Sequence, residues 1–429
     1  MLAARPLLGD PATEAARFLC RLALIILMII APAAELFSRG ALYVLMPVGA
    51  TILIISGALA NGLDVRRVGE AFLTPIGLSA LFLLFWSGLS LAWTPFPAEA
   101  GERFARALGT CTIVFLAIAF LPERTRPGNL YLLPIGLAVT AVATATLLLF
   151  APPFFTRGQD PDSTLAQRCL VSSAILLWPA LGALALCERW LMAGALAFVV
   201  AAAAFADFSQ IALIAIAAGA FVYAVAAGGP RRIGAGAGFL FAFLVLLAPF
   251  LALLGYMLAD LLQLPHSGSA TAFTESLIAD WPRLITGHGL GLAGRAIDLG
   301  LLPADTPRSI LFTIWYELGL LGAVAFALLG YCVFTAAGRA APYIAPPFLA
   351  GLAAGLVIAI LGAETTQLWW MTLDGVGAIA FALLFKAHPH TRRPPAPMME
   401  PEQIDEVDAD WSEEEPESGP EPNASSGPA

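Results

Sequence analysis

The chain has 429 residues, 59% of them hydrophobic and 12% charged, with a mean hydropathy of +0.82. A soluble domain carries about 25% charged residues, so a water-soluble globular protein is excluded and a polytopic membrane protein remains. The formal net charge of −9 is concentrated at one end: residues 394–429 hold eleven acidic and no basic side chains, and everything before them sums to +2.

A transmembrane helix needs about 20 mainly apolar residues to cross a hydrocarbon core of ~30 Å. Twelve candidate spans are centred near residues 27, 50, 82, 115, 141, 178, 198, 218, 247, 322, 352 and 378. The pair near 198 and 218 is separated only by Asp207-Phe208-Ser209-Gln210, which predicts a tight hairpin or one broken unit. With the N-terminus in the cytoplasm, fourteen cations fall inside: Arg5, Arg17, Arg21, Arg66, Arg67, Arg124, Arg126, Arg189, Arg231, Arg232, Arg339, Lys386, Arg392 and Arg393. Eight fall outside: Arg39, Arg103, Arg106, Arg157, Arg168, Arg283, Arg295 and Arg308. The excess of inner cations supports this orientation, so both termini are expected in the cytoplasm. The first apolar run has no convincing small-residue cleavage site before the next span, so no cleavable signal peptide is expected.

The predicted architecture is therefore all-α: a transmembrane domain over 1–390 and a disordered, acidic cytoplasmic tail over 391–429, too rich in Pro, Glu and Ser to bury a core. Three outer loops stand out. They span about 93–107 (WTPFPAEAGERFARA), 152–168 (PPFFTRGQDPDSTLAQR) and 258–307, the last between spans nine and ten. A structureless stretch of that length in a compact protein is usually functional, and it contains His266, Glu275, Asp280, Arg283, His288, Arg295, Asp298 and Asp305. Cys20, Cys111, Cys169, Cys187 and Cys332 lie in or beside spans and suit packing, not a disulfide framework or metal site. No GxxxxGK, HExxH or paired CxxC occurs, so nothing in the sequence supports ATP hydrolysis or zinc chemistry.

The most informative stretch runs from Gly287 to Gly322: a GHGLG turn, a polar loop, then PRSILFTIWYELGLLG entering the tenth span. Together with LSLAWTPFPAEAGERFARAL (89–108), AQRCLVSSAILLWPAL (166–181) and DFSQIALIAIAAGAFVYAVAA (207–227), it resembles the O-antigen ligase and polymerase family of bacterial envelope glycosyltransferases. The resemblance covers about residues 80–335. It implies transfer of a glycan from a polyprenyl-pyrophosphate carrier to a hydroxyl of a glycan or lipid acceptor. The place would be the outer face of the bacterial inner membrane, in lipopolysaccharide or related envelope biosynthesis. No cofactor, metal or nucleic-acid partner is implied, since the pyrophosphate is itself the leaving group. The family commonly has a His-Asn pair nine and eight residues before the Glu of this motif; here those positions are Arg308 and Ser309.

Such chemistry needs donors for two phosphates, which suits the planar fork of Arg, and a base that takes the acceptor's proton. Arg168, at the mouth of the sixth span, is the leading phosphate candidate, against a role as topology anchor. Arg283 and Arg295 flank the glycine turn, and Gly287, Gly289 and Gly291 allow close backbone approach to a ligand as well as simple chain reversal. Arg308 could hold phosphate, but a guanidinium stays protonated and is a poor base. His288 titrates in the useful range and could substitute for the missing base, as could His266. Glu317 lies about nine residues into the tenth span, ~14 Å deep, where an ionisable side chain faces a protein partner and suits a structural hydrogen bond as well as catalysis. The catalytic candidates are thus His288, Arg308 and Glu317; the substrate-binding candidates are Arg168, Arg283, Arg295 and the three glycines. His288 and Arg308 are expected near one another. Two other readings stand beside it: a secondary transporter or flippase of lipid-linked oligosaccharide, which the span count also suits, and a catalytically altered family member, which the Arg308 in place of His suggests.

Overall fold

The computed structural model describes residues 11–38, 40–61, 65–122, 127–150, 165–263, 271, 273–274, 281–303, 306–361 and 368–387. Arg39, Arg157, His266, Glu275, Asp280, Asp305, Glu364 and the tail 391–429 lie outside the described residues. Among the described residues there is no strand, and the protein is an all-α polytopic membrane protein.

The helices are α1 (Pro11–Ile25, continued by a π-turn Ile26–Ile30 and Ala31–Ala34), α2 (Ala41–Asn61), α3 (Val65–Phe72), α4 (Pro75–Leu89) and α5 (Pro97–Phe120). There follow α6 (Leu132–Phe150), α7 (Leu165–Leu186), α8 (Trp190–Ala206), α9 (Gln210–Gly228) and α10 (Pro230–Leu261). The short α11 (Arg283–Thr286) and α12 (Leu292–Asp298) precede α13 (Ile310–Arg339), α14 (Ala345–Leu361) and α15 (Leu368–Lys386). Among the described residues, ten helices are long and apolar enough to cross a membrane. Two shorter apolar ones, Trp190–Ala206 and Ala345–Leu361, fall at the remaining two predicted centres; at 17 residues each they sit at the lower limit for a span.

Asp207–Ser209 forms a tight turn, not a continuous helix. Phe208 adopts a left-handed conformation (φ 52°), and the Ser209 N–H donates back to the Ala204 carbonyl. Glu188 (φ 57°) closes the α7–α8 turn in the same way. All five cysteines are unpaired.

Two apolar cores result. The larger is centred on α7, the most buried span, which packs against α6, α8, α14 and α15. The smaller joins α10 and α13, with α12 laid against them through Leu292, Ala293 and Ala296. Helix α4 packs on α13 while α5 packs on α2 and α15, so the α4–α5 connection leads from one core to the other. At the far ends of α5 and α15, the Lys386 ammonium donates to the carbonyls of Ile118 and Leu121 and caps α5.

Helix α13 is broken. Gly319 stands at φ 65°, ψ −160°, inside an otherwise regular helix. A residue in that conformation cannot carry the i→i−4 ladder through it, so the carbonyls before it need other partners. The GHG turn supplies them: the His288 N–H donates to the Tyr316 carbonyl at 2.8 Å and the Gly289 N–H to the Glu317 carbonyl at 3.0 Å. The Trp86 indole N–H on α4 takes the Leu318 carbonyl at 2.9 Å. Irregular backbone at membrane depth persists only where protein satisfies it in this way.

Glycine is required on both sides of this contact. Gly287 (φ 75°) lies against the Glu317 carbonyl, and a Cβ on Gly319 would meet the backbone of Gly287 and Ile285. Gly287→Ala and Gly319→Ala should each cost more than about 2 kcal/mol, from positive φ and backbone overlap together. The readout is the thermal midpoint and monodispersity of the protein in detergent. Gly294→Ala, with open space around its Cβ and no positive φ, is the control; it should be neutral or stabilising by up to about 1 kcal/mol.

Candidate functional site

The glycine turn is gripped from two sides. The docking to α13 is one. On the other, the Leu290 N–H donates to Ser90 Oγ (3.2 Å), and Thr94 Oγ1 donates to the Leu290 carbonyl (3.2 Å). A Cβ on Gly289 (φ 105°) would collide with Thr94. Gly291 (φ 78°) is the N-cap of α12, and its carbonyl accepts from Arg103 Nη1 at 3.4 Å. The segment 89–108 is thereby brought against the turn nearly two hundred residues later.

His288 lies half-buried on this turn. Its ring stacks on Tyr316 (centroids 4.2 Å, 11° between planes), and Tyr316 stacks in turn on Phe312 (5.4 Å, 16°). His288 Nδ1 lies 3.1 Å from the Tyr316 carbonyl oxygen. A carbonyl only accepts, so in this contact Nδ1 is the donor. The half-helix Ile310–Leu318 ends here, and its negative end faces the imidazole.

Glu317 points the other way. Its carboxylate is buried and accepts from the backbone N–H of Ala293 (3.0 Å) and of Gly291, with the Arg103 charge nearby. It caps the N-terminus of α12 from another helix, where a carboxylate is stabilised by unpaired N–H groups and the helix dipole. Both of its neighbours in the motif serve the same join: Leu318 through its carbonyl and Gly319 through its conformation.

The remaining candidates divide. Arg295, on α12, places Nη2 3.6 Å from Glu99 and its guanidinium carbon 5.8 Å from the Phe96 ring centroid; its Nε is buried without a hydrogen-bond partner among the described residues. Arg283 opens α11 on the exposed rim, and its carbonyl accepts from the Gly287 N–H. Arg308 is exposed and precedes Ser309, whose hydroxyl caps α13 by accepting from the Phe312 N–H. Six residues, about 9 Å of helix rise, separate Ile310 from the Tyr316 that holds His288, so Arg308 lies nearer the rim of the bundle than the imidazole does. Arg168 belongs to another cluster. Its guanidinium lies over the Trp369 ring, 5.6 Å from the centroid, and Trp369 Nε1 donates to Glu35 Oε1 at 3.1 Å.

The sequence pattern did not single out Arg103, Trp86, Ser90, Thr94, Tyr316, Glu35 or the Trp369–Arg168 stack. Arg103 had a signal: it lies nearly two turns inside a helix opened by Pro97, on the segment that resembles the same family as the turn. No family model matches the chain, and no curated protein and no solved structure matches it.

Two outcomes test this geometry. Glu317→Leu leaves the Gly291 and Ala293 N–H groups buried without an acceptor and should cost about 3 kcal/mol; Glu317→Gln keeps an amide oxygen in place and should cost less. The thermal midpoint and protease resistance of the 283–303 segment report both. The second concerns Glu35, which follows the last residue of the first span. Burial pushes its carboxyl up from about 4.5 to about 7, against the lowering effect of Ser172, Trp369 and Arg168. The folded state thus holds this proton more tightly than the unfolded chain does, and the associated stability is lost as pH rises through that window. The thermal midpoint of the wild type should fall more steeply than that of Glu35→Gln between pH 4.5 and about 7; equal slopes would contradict it.

Proposed function

We propose that the protein is a membrane glycosyltransferase of the O-antigen ligase or polymerase type, with both termini cytoplasmic and the glycine turn at the outer face of a bacterial inner membrane. It would move a glycan from a polyprenyl-pyrophosphate carrier to an acceptor hydroxyl. The observation that carries this reading is the placement of His288: its ring stacks on Tyr316 with Nδ1 3.1 Å from the Tyr316 carbonyl oxygen, on a turn docked by two backbone hydrogen bonds into the break of α13.

In this reading the acceptor hydroxyl gives its proton to His288 Nε2 as its oxygen bonds to the anomeric carbon of the donor sugar. The bond from that carbon to the pyrophosphate oxygen breaks, and the polyprenyl pyrophosphate departs with the electron pair. Arginines at the same end of the bundle stabilise the departing charge: Arg168, Arg308, and Arg103 beside the turn. Arg308 replaces the family's histidine in sequence but supplies no base; His288 takes that part. Glu317 acts by holding α12 and the turn in place.

A second reading, transport, draws support from the broken α13, because discontinuous helices also form binding sites in secondary transporters. The test separates the two by using detergent micelles, where there are no compartments to transport between. Purified protein is given a polyprenyl-pyrophosphate-linked glycan and an acceptor glycan, and release of polyprenyl pyrophosphate is followed. The transferase reading expects release, reduced about 100-fold or more in His288→Ala with the protein still folded. No release by wild-type protein, alongside substrate accumulation in proteoliposomes, would favour transport.

A further inference from the structure

Outside the glycine turn, the end of the bundle that carries it holds a second polar cluster built from three distant segments. Glu35 follows the end of the first span, Arg168 stands in the first turn of α7, and Trp369 opens α15. Glu35 is 4% exposed, and its Oε2 has no hydrogen-bond partner among the described residues. Its Oε1 takes the Trp369 indole N–H. Ser172, one turn along α7, lies within reach of both Glu35 and the Arg168 carbonyl, to which its hydroxyl is 2.9 Å. Burying a carboxylate in an apolar bundle is costly unless it has work to do there. A lipid-facing anchor arginine would need neither the aromatic platform nor the buried acid behind it.

We propose that Glu35 and Trp369 are positioning residues for Arg168, aiming its guanidinium at the pyrophosphate of the lipid-linked donor. The inference rests on the reading of Arg168 as a phosphate donor. Glu35 fixes the rotation of the indole through Nε1. The indole face then holds the guanidinium, whose carbon lies 5.6 Å from the ring centroid, through a cation–π contact. A cation–π contact engages the charge of the guanidinium and not its N–H donors, which pair bidentately with phosphate oxygens. A long side chain otherwise loses considerable rotamer entropy on binding; here that cost is met when the protein folds. Glu35 also sits in the field of Arg168.

The experiment measures binding of farnesyl pyrophosphate and farnesyl monophosphate to the full-length protein in detergent, with the ligand-free thermal midpoint recorded for every variant. Wild type should prefer the pyrophosphate, and Arg168→Ala should abolish that preference. Trp369→Leu and Glu35→Leu should weaken pyrophosphate binding by about threefold to thirtyfold and narrow the pyrophosphate-to-monophosphate ratio. Glu35→Gln, which keeps an oxygen for the indole N–H, should restore both. A stitch that merely held three helices together would lower the thermal midpoint without changing that ratio. If the Leu variants fail to fold, Trp369→Phe decides: it keeps a ring but loses the N–H, and should bind about threefold more weakly with a narrowed ratio. Unchanged affinity in Trp369→Phe or the Leu variants, with Arg168→Ala impaired, would overturn the positioning role and leave the phosphate role standing. Equal binding by Arg168→Ala and wild type would remove the phosphate role, and the inference with it.

Discussion

The structure around the candidate site depends on one backbone contact: the GHG turn docked into the break of α13 at Gly319. A helix broken inside an apolar bundle leaves carbonyls that neither water nor lipid can satisfy. Here the carbonyls of Tyr316, Glu317 and Leu318 are taken by His288, Gly289 and Trp86. The turn needs the break for acceptors, and the break needs the turn for donors. Gly287 and Gly319 let the two backbones approach to the distance those bonds require. Glu317 ties the following α12 to the same point, and Ser90 and Thr94 tie the α4–α5 connection to it. Five segments thereby share one join, and His288 inherits its ring orientation from it.

This join explains why the polar chemistry divides into two clusters. The turn cluster uses backbone groups, one imidazole and one buried carboxylate, all held rigidly. The Glu35–Trp369–Arg168 cluster uses side chains on the mouth of the most buried span. In the transfer reaction proposed above, the acceptor needs a base in fixed orientation and the donor needs a cation aimed at phosphate; on that proposal the rigid turn serves the first and Arg168, held against Trp369, the second.

The spans were legible because lipid imposes a simple rule of length and apolarity, and all twelve centres fall in helices. The importance of the GHGLG and ELGLLG motifs was legible too, but their relation to each other was not. It runs through main-chain groups 28 residues apart, and glycine carries no side chain that could announce its partner. Glu317 shows the same limit: its depth called for a partner, yet that partner proved to be the N–H groups of Gly291 and Ala293, which every residue type but proline possesses. Arg103 was hidden by being read as loop when Pro97 starts a helix there. Glu35 and Trp369 were hidden by distance, with 334 residues between the two ends of their hydrogen bond.

The central claim is that the glycine turn is part of the transmembrane fold and not a surface loop. Hydrogen exchange on the 283–293 segment, in detergent or nanodiscs, tests it directly. The amides of His288 and Gly289 donate to carbonyls of a spanning helix, so they should exchange as slowly as amides in the spans themselves. Exchange at the rate of an open loop, with the spans still protected, would contradict the docking, and the argument for His288 would fall with it.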